Sequence, residues 1–296
     1  MAIARQKSDP RPPAPYFWPV DKVILAYFAF AVAIIIGWWS AVPDAPWLLA
    51  AHLFFGALVI YQVKFPNRTS YVFRNWYPVL YVASCYKEMA LFVPAVRGTD
   101  ADQFLANLDF HIWGANPTVW VERLYHPALT EFLQWIYTLF IPVVLFVAWL
   151  LWKRGRIGEF RYYAFLVALG FLVSYVGYLA VPARGPRFLL KHLQNVPLQG
   201  LWLFQSMQSM LDRLESAHYD CFPSGHTELT ILACWGSRMV SRKWFLAFLV
   251  YTPCIIFATV YLRYHYTIDV LAGAIVAAVL IALSPHIFTK LGQRGH

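Results

Sequence analysis

The chain has 296 residues, of which 60% are hydrophobic and 13% charged, and it carries a formal net charge of +9. A soluble domain holds roughly 25% charged residues, so this composition, with its apolar runs of about 20 residues, excludes a soluble globular protein. The excess Lys and Arg lie between the apolar runs; they read as cytoplasmic loop charge that sets topology, which argues against nucleic acid as a partner.

The class that remains is all-α: a polytopic transmembrane helical bundle of about eight spans, six being the lower count, with both termini cytoplasmic and amphipathic helices on the outer face. Residues 1–20 are basic and Pro-rich, lack the apolar core and cleavage site of a signal peptide, and read as a disordered lead-in. N-terminal spans with an outer amphipathic segment occupy 21–159, and a helical core occupies 160–290. The four cysteines supply no disulfide framework, since Cys85, Cys234 and Cys254 sit inside apolar stretches.

The first two spans run over 23–42 and 47–65, around an outward-facing turn at Asp44, and Lys64, Arg68 and Arg74 mark the cytoplasmic exit. Residues 75–96 are apolar but hold Lys87 and Glu88. They count as a span because the basic loop at 153–161 is cytoplasmic only if 75–96 crosses before the span at 131–152 returns. Lys87 and Glu88 either line a head-group cavity or pair inside the bundle. Residues 97–130 read as outer amphipathic helices broken at Gly114-Ala115-Asn116-Pro117, where Asp109 and His111 either contact substrate or belong to a solvated face. A span over 160–181 ends at Arg184-Gly185-Pro186-Arg187, and 198–214 is amphipathic, either packed at the interface or acting as a lid. The last spans cover 226–240, 244–262 and 267–288. Arg238, Arg242, Lys243, Lys290 and Arg294 lie at their cytoplasmic ends, so Arg184, Arg187, Ser224, His226, His265 and Asp269 gather at the outer mouth.

Those residue types suit phosphoryl chemistry. His265 and Asp269, at i and i+4, share a helix face, where a carboxylate on one ring nitrogen leaves the other basic, as a nucleophilic histidine needs. A structural pair is the plainer alternative. Ser224 and Gly225 open a span whose free N–H groups form an anion site, with His226 beside it as a proton donor to a leaving oxygen; the plainer alternative is an N-cap with an interfacial histidine. Arg184 and Arg187 suit phosphate oxygens or anchor lipid head groups. A metal hydrolase built on His226, His265 and Asp269 is a further alternative.

Pro223-Ser224-Gly225-His226 followed by His265-x-x-x-Asp269 resembles the second and third signature motifs of the type-2 phosphatidic acid phosphatase superfamily. Arg184-Gly185-Pro186-Arg187 sits where its first motif would be. The resemblance covers 182–187 and 221–273, with a compatible span order over 160–290. It implies a phosphohistidine mechanism that needs no metal and no other cofactor. His265 would attack phosphorus, Asp269 would orient it and His226 would protonate the leaving group. Arg184 or Arg187, with Ser224 and Gly225, would hold the phosphoryl oxygens. Two departures bear on the reaction. Gly177 (or Ala180) stands where the first motif has Lys, and Ala258-Thr259 stands where the third has Ser-Arg. This pattern is similar to the inositol phosphorylceramide synthase and sphingomyelin synthase branch. The resulting expectation is a lipid phosphotransferase with lipid substrates as partners and its site on the extracytoplasmic side. The alternatives are a lipid phosphatase acting on phosphatidic acid or polyprenyl (pyro)phosphate, and a non-catalytic lipid-binding or transport protein.

Overall fold

Helix α1 (Pro19–Gly37) starts where the sequence supplies its signals: proline in the first turn, and an Asp21 carboxylate that accepts from the Trp18 N–H at 2.8 Å. The structure, a computed structural model, describes residues 16–214 and 219–293. The expectation of disorder over 1–20 therefore falls largely outside the described residues, and α1 already begins at Pro19. After the turn at Asp44 come α2 (Ala45–Lys64) and the long α3 (Arg68–Val96). The outer segment forms α4 (Asp102–Trp113) and the single turn α5 (Pro117–Trp120), separated at Gly114–Asn116 as the sequence predicts.

The span expected over 131–152 is a bent pair, α6 (Pro127–Thr138) and α7 (Phe140–Lys153), meeting at 46°. Pro142 explains the break: it lacks an N–H, and its ring crowds the carbonyl of Thr138, where α6 ends. Then follow α8 (Ile157–Ala180), the short α9 (Pro186–Leu189) and α10 (Phe204–Leu214). The chain closes with α11 (Gly225–Val240), α12 (Arg242–Tyr261) and α13 (Thr267–Gly292). Helix α10 is six residues shorter than the amphipathic stretch predicts. The Glu131 carboxylate accepts from the N–H groups of Leu201, Trp202, Leu203 and Phe204 at 3.0–3.3 Å, so the preceding backbone is tied to α6 instead of coiling.

Among the described residues, six helices are long and apolar enough to cross a membrane (α1, α2, α3, α8, α12 and α13), and the bent pair makes a seventh if it counts as one span. The eighth expected span, α11, has only 16 residues. It is the central helix, packed against α7, α8, α12 and α13. Its neighbours cover it, so it can carry the buried Thr227, Glu228, Thr230 and Ser237 that a lipid-facing helix could not.

One apolar core lies among α1, α2, α3 and α8, and a second among α7, α8, α11, α12 and α13. Hydrogen bonds lock the basic end of the bundle. Arg154 donates to the Val240 carbonyl at 2.6 Å, Arg156 to Met239, and Lys22 to the Leu291 carbonyl at 2.6 Å. Arg74 is not loop charge. It is buried, 2.9 Å from the buried Asp21, with the Trp18 ring over its guanidinium.

Candidate active site

The opposite end of the bundle, where α8 stops and α11 and α13 start, gathers the histidines. Ser224 caps α11: its Oγ accepts from the Thr227 N–H at 3.3 Å, and its own N–H donates to the Asp269 carbonyl at 3.0 Å. That second bond fixes the start of α11 against the first turn of α13. In α13, Asp269 Oδ2 accepts from the Tyr266 N–H at 2.8 Å and from the Cys221 thiol at 2.9 Å.

His265 is 3% exposed, so its partners set its chemistry. Its Nδ1 lies 2.9 Å from the Cys221 carbonyl and 3.5 Å from Asp269 Oδ2. A carbonyl can only accept, so Nδ1 carries the proton and Nε2 of the neutral ring holds a lone pair. The sequence assigns the orienting role to Asp269; in the fold the Cys221 carbonyl is the closer partner, and Asp269 serves the Cys221 thiol and the Tyr266 N–H. Nε2 of His265 faces Nδ1 of His226 at 3.4 Å. The His226 ring sits between Tyr137, stacked at 4.3 Å, and Phe140 at 4.4 Å. Tyr137 in turn stacks on Tyr264 at 4.3 Å, and the Arg187 guanidinium lies 4.9 Å from the Tyr264 ring. A column of rings thus links the arginine to His226.

The arginine loop is held against this column. Gly185 has φ +99, and a Cβ there would lie 2.7 Å from the Tyr264 carbonyl, so the loop can lie this close only as glycine. Arg187 donates its backbone N–H to the Arg263 carbonyl at 3.1 Å and pairs with Asp212 of α10 at 2.7 Å, whereas Arg184 is exposed over Phe188. The Cys221 N–H donates to the Ala183 carbonyl at 3.2 Å, tying the two loops together.

The remaining candidates lie elsewhere in the hydrogen-bond pattern. Asp109 is buried and accepts from the Thr267 and Ile268 N–H groups, both at 2.8 Å, and from the Thr267 hydroxyl at 2.7 Å, so both its oxygens cap α13. Glu88 turns to His52 of α2 at 3.3 Å, and Lys87 is exposed; the two are not an ion pair. Arg263 is bound by Glu122 at 2.7 Å, Gln194 and the Val196 carbonyl, away from the histidines. Sequence reasoning missed Cys221 as a partner, although it stands in the same short stretch as His226. It also missed Asp220, which accepts from the Tyr86 hydroxyl at 2.5 Å. Burial raises the Asp220 carboxyl, while the Tyr86 hydroxyl and the Arg187 guanidinium pull it back.

Cys221, His265 and Asp269 offer metal-ligand atoms within 4.8 Å of one another. Each of those atoms already has a protein partner: Sγ and Oδ2 bond each other, and Nδ1 bonds the Cys221 carbonyl. A cation there would have to replace this network.

A family model described as the PAP2 superfamily matches residues 105–283, from α4 to near the end of α13. No curated protein and no solved structure matches the chain. Residues 105–283 are more than half of the sequence and hold the segments that carry the two histidines; the chain belongs to the PAP2 superfamily, and this membership supports a function of lipid phosphatase or phosphotransferase type.

Proposed function

We propose that the protein is a lipid phosphotransferase, similar to inositol phosphorylceramide synthase, that moves a phosphoryl-linked head group from one lipid to another through a covalent intermediate on His265. One observation carries this reading: the lone pair on His265 Nε2 points at His226 across 3.4 Å, with the proton held on the other nitrogen. Reacting atoms need about 3–3.5 Å. A phosphoryl group therefore has to enter between the rings, with His226 moving along its slot between Tyr137 and Phe140.

In the first step Nε2 of His265 bonds to phosphorus, the bond from phosphorus to the lipid alkoxide breaks, and His226 gives that oxygen a proton. In the second step an acceptor hydroxyl gives its proton to His226, bonds to phosphorus and releases His265. Arg187, with Arg184, would balance charge on the non-bridging oxygens, together with Ser224 and Gly225 at the start of α11.

The cations that are missing favour a phosphodiester over a monoester. At Gly177, one of the two positions (with Ala180) where the first motif would carry lysine, a Cβ would lie 2.3 Å from the Pro223 ring, so no side chain fits there. Ala258 and Thr259, in place of Ser-Arg, are fully buried, and Arg263 is engaged with Glu122. With the lysine and the third-motif arginine missing, a dianionic monoester is held less well than it would be in their presence, whereas a monoanionic phosphodiester needs fewer cations to balance it. Arg154, Arg156 and Lys290 at the other end of the bundle support, by the positive-inside rule, a cytoplasmic location for that end and an extracytoplasmic one for the site.

The test is a panel of head-group-labelled phospholipids given to purified protein with and without ceramide and other lipid alcohols. Label on a new lipid is the expected product, with full activity in chelator. Free phosphate as the only labelled product would replace this reading with a lipid phosphatase.

A further inference from the structure

Helix α4 carries three stripes. Phe104, Leu108 and Ile112 recur every four residues on one flank, and the exposed Gln103, Asn107 and His111 on another. Such a helix lies flat at a membrane surface. Between the flanks, Asp102, Leu105, Ala106 and Asp109 are buried. Two buried carboxylates on an interfacial helix need partners, and both find them in the segments that carry the chemistry.

The two aspartates bind in the same way. Asp102 accepts from two consecutive backbone N–H groups, Arg184 on Oδ2 and Gly185 on Oδ1, both at 2.7 Å, and from the Tyr266 hydroxyl at 3.0 Å. Asp109 accepts from the next consecutive pair in space, Thr267 on Oδ2 and Ile268 on Oδ1. Its third donor is the Thr267 hydroxyl, which also accepts from the Trp113 indole at 2.6 Å. Residues 102 and 109 are two turns apart on one face, about 10 Å along the axis. One rigid helix therefore grips the arginine loop with one carboxylate and the residues following His265 with the other. The Gly185 backbone lies directly on the Tyr264 carbonyl, so a shift of the loop passes to the nucleophile's own segment.

We infer that Asp102 and Asp109 are positioning residues for the transfer reaction: Asp102 fixes the phosphoryl-binding arginine loop, and Asp109 fixes the first turn of α13 and with it the aim of His265. This inference rests on His265 as the nucleophile and the arginine loop as the clamp.

The test uses the full chain in nanodiscs, with orthovanadate as a phosphoryl probe measured by calorimetry and the His265 ring followed by 15N-histidine NMR. Asp102→Asn places an amide N–H against a backbone N–H; it should weaken vanadate about tenfold while His265 keeps its wild-type signals. Asp109→Asn should displace the His265 signals and lower turnover by about 100-fold, the scale of a small misplacement. If either variant fails to fold, Thr267 decides. Thr267→Ser keeps the hydroxyl and should match wild type, while Thr267→Val should shift the His265 signals in the Asp109→Asn direction. Folded Asp102→Asn and Asp109→Asn with wild-type vanadate affinity and unchanged His265 signals would overturn the inference, as would identical behaviour of Thr267→Ser and Thr267→Val. A His265→Ala variant that turns over normally would instead overturn the nucleophile assignment itself.

Discussion

The Cys221 thiol lies 2.9 Å from Asp269 Oδ2 and 3.3 Å from the Tyr264 carbonyl, while the Cys221 carbonyl accepts a hydrogen bond from His265 Nδ1–H. Burial pushes this thiol well up, so it stays protonated and serves as a donor. Cys221→Ser should keep turnover, because serine can give the same bond. Cys221→Ala leaves the buried Asp269 one donor short, at a cost of about 1–3 kcal/mol; turnover should fall about tenfold. Equal activity in the two variants would show that the thiol orients nothing. Asp220 gives a pH-dependent prediction. Its folded carboxyl sits above its unfolded value of about 3.9, so its contribution to stability is full below that pH and is lost as pH rises through the folded value. Asp220→Asn should therefore raise the melting temperature at pH 8 and change it little near pH 4; a lower melting temperature at pH 8 would contradict this. His265 and Asp269 were legible in the sequence as a pair because their i,i+4 spacing is local, and His226 because it follows a Pro-Ser-Gly turn at the start of an apolar span. The partner that fixes the His265 tautomer was not: it is a main-chain oxygen 44 residues away, and no side-chain pattern marks it.

At the scale of elements, apolar length identifies the helices, and breaks identify their ends. Pro142 bends α6 against α7, a signal present in the sequence, whereas α10 is shortened by Glu131, which only the fold brings near. Helix α11 is legible at close to its true length, 226–240, but not as a covered helix, because its shielding by four neighbours is a tertiary fact. Arg74 reads as loop charge until Asp21 of α1 is seen beside it. This buried pair fixes α1 to α3. Asp21→Ala or Arg74→Ala alone leaves a buried charge without its partner and should cost about 3–5 kcal/mol. The double variant should lose less than the sum. A double-mutant cycle on thermal unfolding in detergent measures this, and additive losses would mean that the pair does not couple the helices.

Across the whole molecule, chemistry and anchoring sit at opposite ends. The Arg154, Arg156 and Lys22 bonds tie helix ends together on one side, and the caps from Ser224, Asp269, Asp102 and Asp109 do so on the other. The family match begins within α4, so α1–α3 lie outside it, yet Tyr86 of α3 reaches Asp220 beside the site. The central claim is that His265 carries the transferred group. Rapid quenching of the protein with a head-group-labelled phospholipid, followed by peptide mass spectrometry, tests it directly. The expected result is a labelled phosphoryl adduct on the peptide containing His265, absent in His265→Ala together with turnover. Turnover that persists in His265→Ala, or label on any other residue, would contradict it.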